Sequence, residues 1–94
     1  MSDVGQRPRA VLLTRSGCHL CGPAREVVAA VAGELGESWE EQDLDAHPDL
    51  RERYRTLVPV LLVDGREVGH WRLEPVQVRR ALRRPWWRRL LPRR

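Results

Sequence analysis

Long hydrophobic runs are missing from this 94-residue chain. Its strand-like aliphatic runs, Ala10 to Leu13 and Val60 to Val63, hold four residues each. A membrane-spanning helix needs roughly 20 apolar residues, so none is expected. The first residues, MSDVGQRPRAVLLTR, set Arg on both sides of a very short apolar stretch and offer no small-residue cleavage site. That is not a secretory signal, and a cytoplasmic protein is the expectation. Lysine is absent: all 17 basic residues are Arg, a bias that genome composition explains and that carries little functional weight. Acids are absent from residues 75–94, which hold eight Arg, whereas residues 1–74 hold nine Arg against thirteen acids. The pI of about 10.4 therefore belongs to the C-terminal segment and not to the domain. A third cysteine is absent too. Two remain, in Cys18-His19-Leu20-Cys21.

What is present fits one small folded domain. Hydrophobic residues make up 41% and charged residues 32%, a balance that suits a globule better than a disordered chain. Ala10-Val11-Leu12-Leu13-Thr14 has no polar alternation, as in a strand covered on both faces. From Ala24 the apolar positions Val27, Val28, Val31 and Leu35 recur at helical spacing, with Pro23 in the first turn. Ser38 to Leu44 reads as a polar edge strand, and His47-Pro48-Asp49 opens a short helix carrying Leu50, Tyr54 and Leu57. Asp64-Gly65, between Val60–Val63 and Arg66-Glu67-Val68, predicts a type I′ hairpin. Pro75 begins a last helix with Val78, Ala81 and Leu82 inward and its arginines outward; Pro85 ends it. The order is β-α-β-α-β-β-α. Strands one and two must be joined by a right-handed parallel crossover, whereas the hairpin makes the last two antiparallel. The expected fold is α/β, a mixed sheet with helices on both faces, over residues 1–84, followed by a basic tail, 85–94.

The dithiol lies between a buried strand and a helix start. Free N–H groups and the helix dipole stabilise an anion there, and a thiolate is such an anion, its pKa falling from about 8.5 to ~3.5–7.5 in this setting. Cys18, at the mouth of the helix, is the candidate nucleophile, and Cys21, one turn in, the resolving thiol. As a structural staple the pair would close too small a loop to contribute much. Zinc would want two more ligands. His19 lies inside the CxxC, and His47 and His70 are single residues elsewhere, so no metal is expected. His19 has two readings: a cation favouring the Cys18 thiolate, or an exposed histidine at a helix start, the preferred one. Arg15 can add positive potential. Trp71 either borders the dithiol or covers a sheet edge, the latter preferred, and Trp39 packs in or on the sheet.

The segment Leu13-Thr14-Arg15-Ser16-Gly17-Cys18-His19-Leu20-Cys21, followed by Val58-Pro59-Val60-Leu61-Leu62-Val63-Asp64-Gly65, resembles glutaredoxin-like proteins of the thioredoxin superfamily. It is most similar to the small bacterial branch with a Cys-His-Leu-Cys centre, across about residues 9–84. The resemblance implies a thioredoxin-like fold of strand order 2-1-3-4, with helices one and three on one face and helix two on the other. It implies thiol–disulfide exchange through Cys18 and Cys21, and a cis Pro59 facing them. The Val58 backbone would pair with a substrate as an added strand. Val58, Pro59, Arg15 and His19 are the candidate substrate-binding residues.

Two departures from the family pattern bear on the electron donor. Glutaredoxins that bind glutathione well carry Gly-Gly and then an Asp after the fourth strand. Here Gly69 is followed by His70-Trp71-Arg72-Leu73, with Leu73 in the Asp position and Glu74 beside the last helix. Weak glutathione binding is expected, with another thiol or a reductase as donor. The His-Leu interior also replaces Pro-Tyr and retunes the potential, so the direction of transfer stays open. No bound cofactor is expected, the partner being a disulfide-containing protein or small molecule met by a monomer. The alternative is a binding module in which the tail, with Arg pairs alternating with Trp86-Trp87 and Leu90-Leu91, holds the domain at an anionic membrane surface, a nucleic acid or an acidic partner. A flexible tail is the simpler reading.

Overall fold

Alternation along the two central strands decides the layers. In the computed structural model, which describes residues 8–84, strands β1 (Ala10–Thr14) and β3 (Val60–Val63) pair antiparallel at the centre of the sheet. Ala10, Leu12, Leu61 and Val63 project to one face, and Leu13 and Val60 to the other. Both faces must therefore be covered, which explains why these runs lack polar alternation. Helices α1 (Cys21–Leu35) and α3 (Pro75–Arg83) cover the first face with Ala24, Val28, Val31, Val78 and Leu82. The second is covered by a 3-10 turn, Leu44–Ala46, and helix α2, Pro48–Tyr54, through Leu44, Tyr54 and the half-buried Leu50.

Strand β2 (Trp39–Asp43) runs parallel to β1 and strand β4 (Arg66–His70) antiparallel to β3, giving the order β2-β1-β3-β4. This is the expected mixed α/β sheet of a thioredoxin-like fold. Asp64 and Gly65 both take positive φ, 54° and 82°, the pair of values a two-residue type I′ turn demands and the reason glycine suits the second position. Leu61 faces Gly69 but Leu62 faces Glu67, so Val68 is the extra residue of a bulge in β4.

Several boundaries shift from the sequence expectation, each for a packing reason. Helix α1 starts at Cys21, because Cys21 lies on the same buried stripe as Ala24 and Val28. Helix α2 stops at Tyr54, leaving Leu57 to pack on the second core from the loop. Strand β4 runs two residues past Val68, to His70. Arg79 is half-buried, drawn down onto α1 by Glu34, with Nε–Oε2 2.8 Å and Nη2–Oε1 3.1 Å. No helix among the described residues is long and apolar enough to cross a membrane. The expected basic tail, 85–94, lies outside the described residues.

Candidate functional site

Chain direction brings the candidate residues to one end of the sheet. Strand β1 runs toward the CxxC, β3 starts at that end, and β4 finishes there. Leu13 pairs with Val60 and Val60 with His70. Thr14, Pro59 and Trp71 thus follow one position beyond those pairs. The Trp71 N–H donates to the Pro59 carbonyl at 2.9 Å, extending the pairing. The Val58–Pro59 peptide bond is cis. Proline suits this place, since the first position before a strand tolerates a missing N–H.

From Thr14 the chain turns through Ser16 and Gly17 into the cysteines. Gly17 has φ 78°, a left-handed value that glycine adopts without a steric penalty. Cys18 donates its N–H to the Arg15 carbonyl at 3.3 Å, closing the turn. Cys18 and Cys21 are joined as a disulfide, their Cα atoms 5.5 Å apart. Cys18 is half-buried, whereas Cys21, the first residue of α1, is 3% exposed. Helix α1 has no side-chain cap at its start and no acid in its first turn. The positive end of its dipole is thus left unneutralised beside the sulfur atoms.

Other candidates take defined places. Arg15 forms an ion pair with Asp45, Nε–Oδ1 3.3 Å, at an angle that leaves its buried Nε–H without a hydrogen-bond partner among the described residues. His19 is exposed on the turn. Leu73 is 6% exposed and belongs to the main core. Glu74 is the N-cap of α3, and its N–H donates to Gln77 Oε1 at 3.2 Å. Gln77 Nε2 donates to the Val68 carbonyl at 3.1 Å, and a Cβ on Gly69 would come within 2.7 Å of that nitrogen. The stretch after β4 is therefore committed to starting α3. No group of three or more His, Cys, Asp or Glu side chains is placed to hold a metal among the described residues.

Trp71 is the residue whose place sequence reasoning left least defined. Its φ is 63°, a conformation that costs a non-glycine residue roughly 1–2 kcal/mol. Its indole Nε1 donates to the Thr56 carbonyl at 3.0 Å, and the His70 ring meets it edge-on at a centroid distance of 4.8 Å. The indole lies over the loop leading to Pro59 and remains 51% exposed, instead of covering a sheet edge.

A clamp below the dithiol escaped sequence reasoning entirely. Thr14, 6% exposed, donates Oγ1–H to Glu41 Oε2 at 2.8 Å. Arg25, one turn after Cys21, donates Nε and Nη2 to the two Glu41 oxygens, each at 2.7 Å. The end of β1 and the start of α1 are thereby tied through β2. The Arg25 hydrogen bonds hold the Glu41 carboxyl below its ordinary pKa, with a smaller contribution from Thr14. A threonine, a glutamate and an arginine so far apart in sequence carry no local signal of this contact.

A cysteine pair bridged at the junction of β1 and α1, on a β2-β1-β3-β4 sheet, defines a thioredoxin fold of redox type. Comparison with known proteins agrees. Residues 9–83 match the family described as "Glutaredoxin-like domain (DUF836)". An uncharacterized protein of Mycobacterium tuberculosis is 35% identical over 83 residues, covering 83% of this chain and 86% of the relative. One from Mycobacterium bovis matches to the same extent. Among solved structures, a protein from X. campestris aligns with a TM-score of 0.62 at 27% identity, over 88% of this chain and 99% of that one. A Nitrosomonas europaea protein solved by NMR gives a TM-score of 0.64 at 27% identity, over 77% and 88%. The chain belongs to the glutaredoxin-like family.

Proposed function

We propose that this protein exchanges thiols and disulfides with a partner molecule, Cys18 acting as nucleophile and Cys21 as resolving thiol. The observation that carries the reading is the bridged pair at the uncapped start of α1, with Cys18 half-buried and Cys21 3% exposed. In the reduced protein the Cys18 thiolate attacks one sulfur of a substrate disulfide, and the other substrate sulfur leaves as a thiolate. The Cys21 thiolate then attacks Cys18 Sγ in the mixed disulfide and expels the second substrate sulfur. The substrate gains two electrons and, after proton uptake, becomes two thiols. The protein is left with the Cys18–Cys21 bridge, which a dithiol or two equivalents of a monothiol must reduce again. A reducing cytosol would keep the protein ready for this step.

Val58 and Pro59 would receive an extended substrate backbone, with Arg15 and His19 at the margin of the contact. Glutathione would be a poor donor. Leu73 is buried in the core and Glu74 starts α3, so neither is free to grip the γ-glutamyl end. A missing charge-assisted contact costs about 1.5–3 kcal/mol, roughly ten- to a hundredfold in affinity.

Cysteine variants and alkylation test the roles. Cys18→Ser should abolish reduction of a small disulfide, and Cys21→Ser should accumulate a mixed disulfide that mass spectrometry maps to Cys18. Iodoacetamide near neutral pH should label Cys18 of the reduced protein before Cys21. Preferential labelling of Cys21, or full activity in Cys18→Ser, would sink the assignment. Turnover of a glutathionylated peptide with glutathione as sole reductant, at rates of an ordinary dithiol glutaredoxin, would refute the donor argument.

A further inference from the structure

We propose that Trp71 is a specificity-determining contact, selecting disulfide substrates that carry a large apolar side chain within two residues of the reacting cysteine. This rests on the thiol-exchange reading above and names its substrate class: an extended polypeptide and not a small thiol. Trp71 is one of two large hydrophobic residues exposed among those described, the other being Val76, and both belong to the segment following β4. It stands at the dithiol end of the sheet, its N–H on the Pro59 carbonyl. A substrate strand laid along Val58 would pass between Cys18 on one side and Trp71 on the other. At ~3.3 Å per residue, two positions bring a side chain roughly 7 Å along that strand, a distance an indole spans.

The chemistry left to the indole decides the ligand class. Both N–H groups of Trp71 are occupied, by the Thr56 and Pro59 carbonyls, so it can offer apolar ring surface and no donor. A cation over the ring would meet the neighbouring exposed Arg72, which disfavours positive charge. Apolar contact remains. The ring is held on its perch by Thr56 and by His70, whose Nδ1 lies 3.0 Å from Glu67 Oε2. A platform already held in place loses little freedom on binding. The left-handed backbone at Trp71 fits the same role, since strained conformations collect where a ligand is clamped.

Two disulfides read the effect: a cystine-bridged peptide with Phe beside the cysteine, and bis(2-hydroxyethyl) disulfide, which has no side chain to offer. Trp71→Ala should lower kcat/KM on the Phe peptide about tenfold, the scale of an ordinary anchor truncation, and leave the small disulfide unchanged. Trp71→Phe should restore the preference, and the pH dependence of Cys18 alkylation should be the same in all three proteins. A purely structural role would lower both substrates together or shift the alkylation profile. Either result, or an unchanged preference in Trp71→Ala, would overturn the proposal. Failure of the wild type on both disulfides would overturn the thiol-exchange reading itself, and this inference with it.

Discussion

The two ends of the same four strands are built on opposite terms. At the hairpin end, Arg9 gathers the structure into a closed network. Its guanidinium donates to both Asp64 oxygens, at 3.0 and 2.9 Å, to Glu37 at 3.2 Å, and to the carbonyls of Leu82 and Arg84 at 3.2 and 2.6 Å. A guanidinium has five N–H groups, and all five are used. At the dithiol end, α1 starts without a side-chain cap, Arg15 Nε–H lacks a hydrogen-bond partner among the described residues, and Trp71 stays half-exposed on a left-handed backbone. The hairpin end spends its polar groups on closing the fold, whereas the dithiol end, clamped below by Thr14, Glu41 and Arg25, keeps an uncapped helix start and an indole face open to a partner. Stability and chemistry are thus separated along the strand axis, which lets the reactive end carry strain and unpaired groups while the hairpin end holds the sheet together.

The largest stability effect should come from the layer joining both ends. Leu12→Ala, at a fully buried position in the central strand, should cost about 2–5 kcal/mol, read as a fall in the urea midpoint, while the protein that remains folded keeps its exchange rate. Arg9→Gln should cost less, about 1–3 kcal/mol, because it leaves Asp64 and Glu37 without their shared cation. Exchange kinetics should not change in this variant. A parallel loss of activity would show that the two ends are coupled and break the contrast drawn above.

The smallest effect concerns acid. Glu41 titrates below its ordinary value of 4.5 when folded, so the unfolded chain binds its proton more readily. The stabilisation is present in full above that ordinary value and is lost as pH falls through the folded one. Comparing urea midpoints at about pH 7 and about pH 3, wild type should lose more than Glu41→Gln. An equal loss would mean that the ionised Glu41 carboxylate contributes nothing to stability through its hydrogen bonds to Arg25 and Thr14.

Much of this arrangement was legible in the chain. The unbroken Ala10–Thr14 and Val60–Val63 runs announce central strands, because only a strand buried on both faces can dispense with polar alternation. Asp64-Gly65 announces its turn, because few residue pairs accept two positive φ angles. The CxxC ahead of an apolar stripe announces a dithiol at a helix start. The shift of α1 to Cys21 was less visible, since a cysteine reads as chemistry before it reads as core.

What the chain order determined, then, was every interaction set by neighbours in sequence: periodicity, turn angles, the three-residue spacing of the cysteines. Tertiary structure alone decided the rest. Glu41 meets Arg25 and Thr14 only because β2 crosses to lie beside β1. Arg9 finds its five acceptors on three separate segments, the hairpin turn, the end of α1 and the end of α3. Trp71 reaches the loop before Pro59 only because β4 ends where β3 begins. Such contacts join groups from about a dozen to 75 residues apart, whose meeting depends on the packing of whole elements, and no local pattern in a sequence records that.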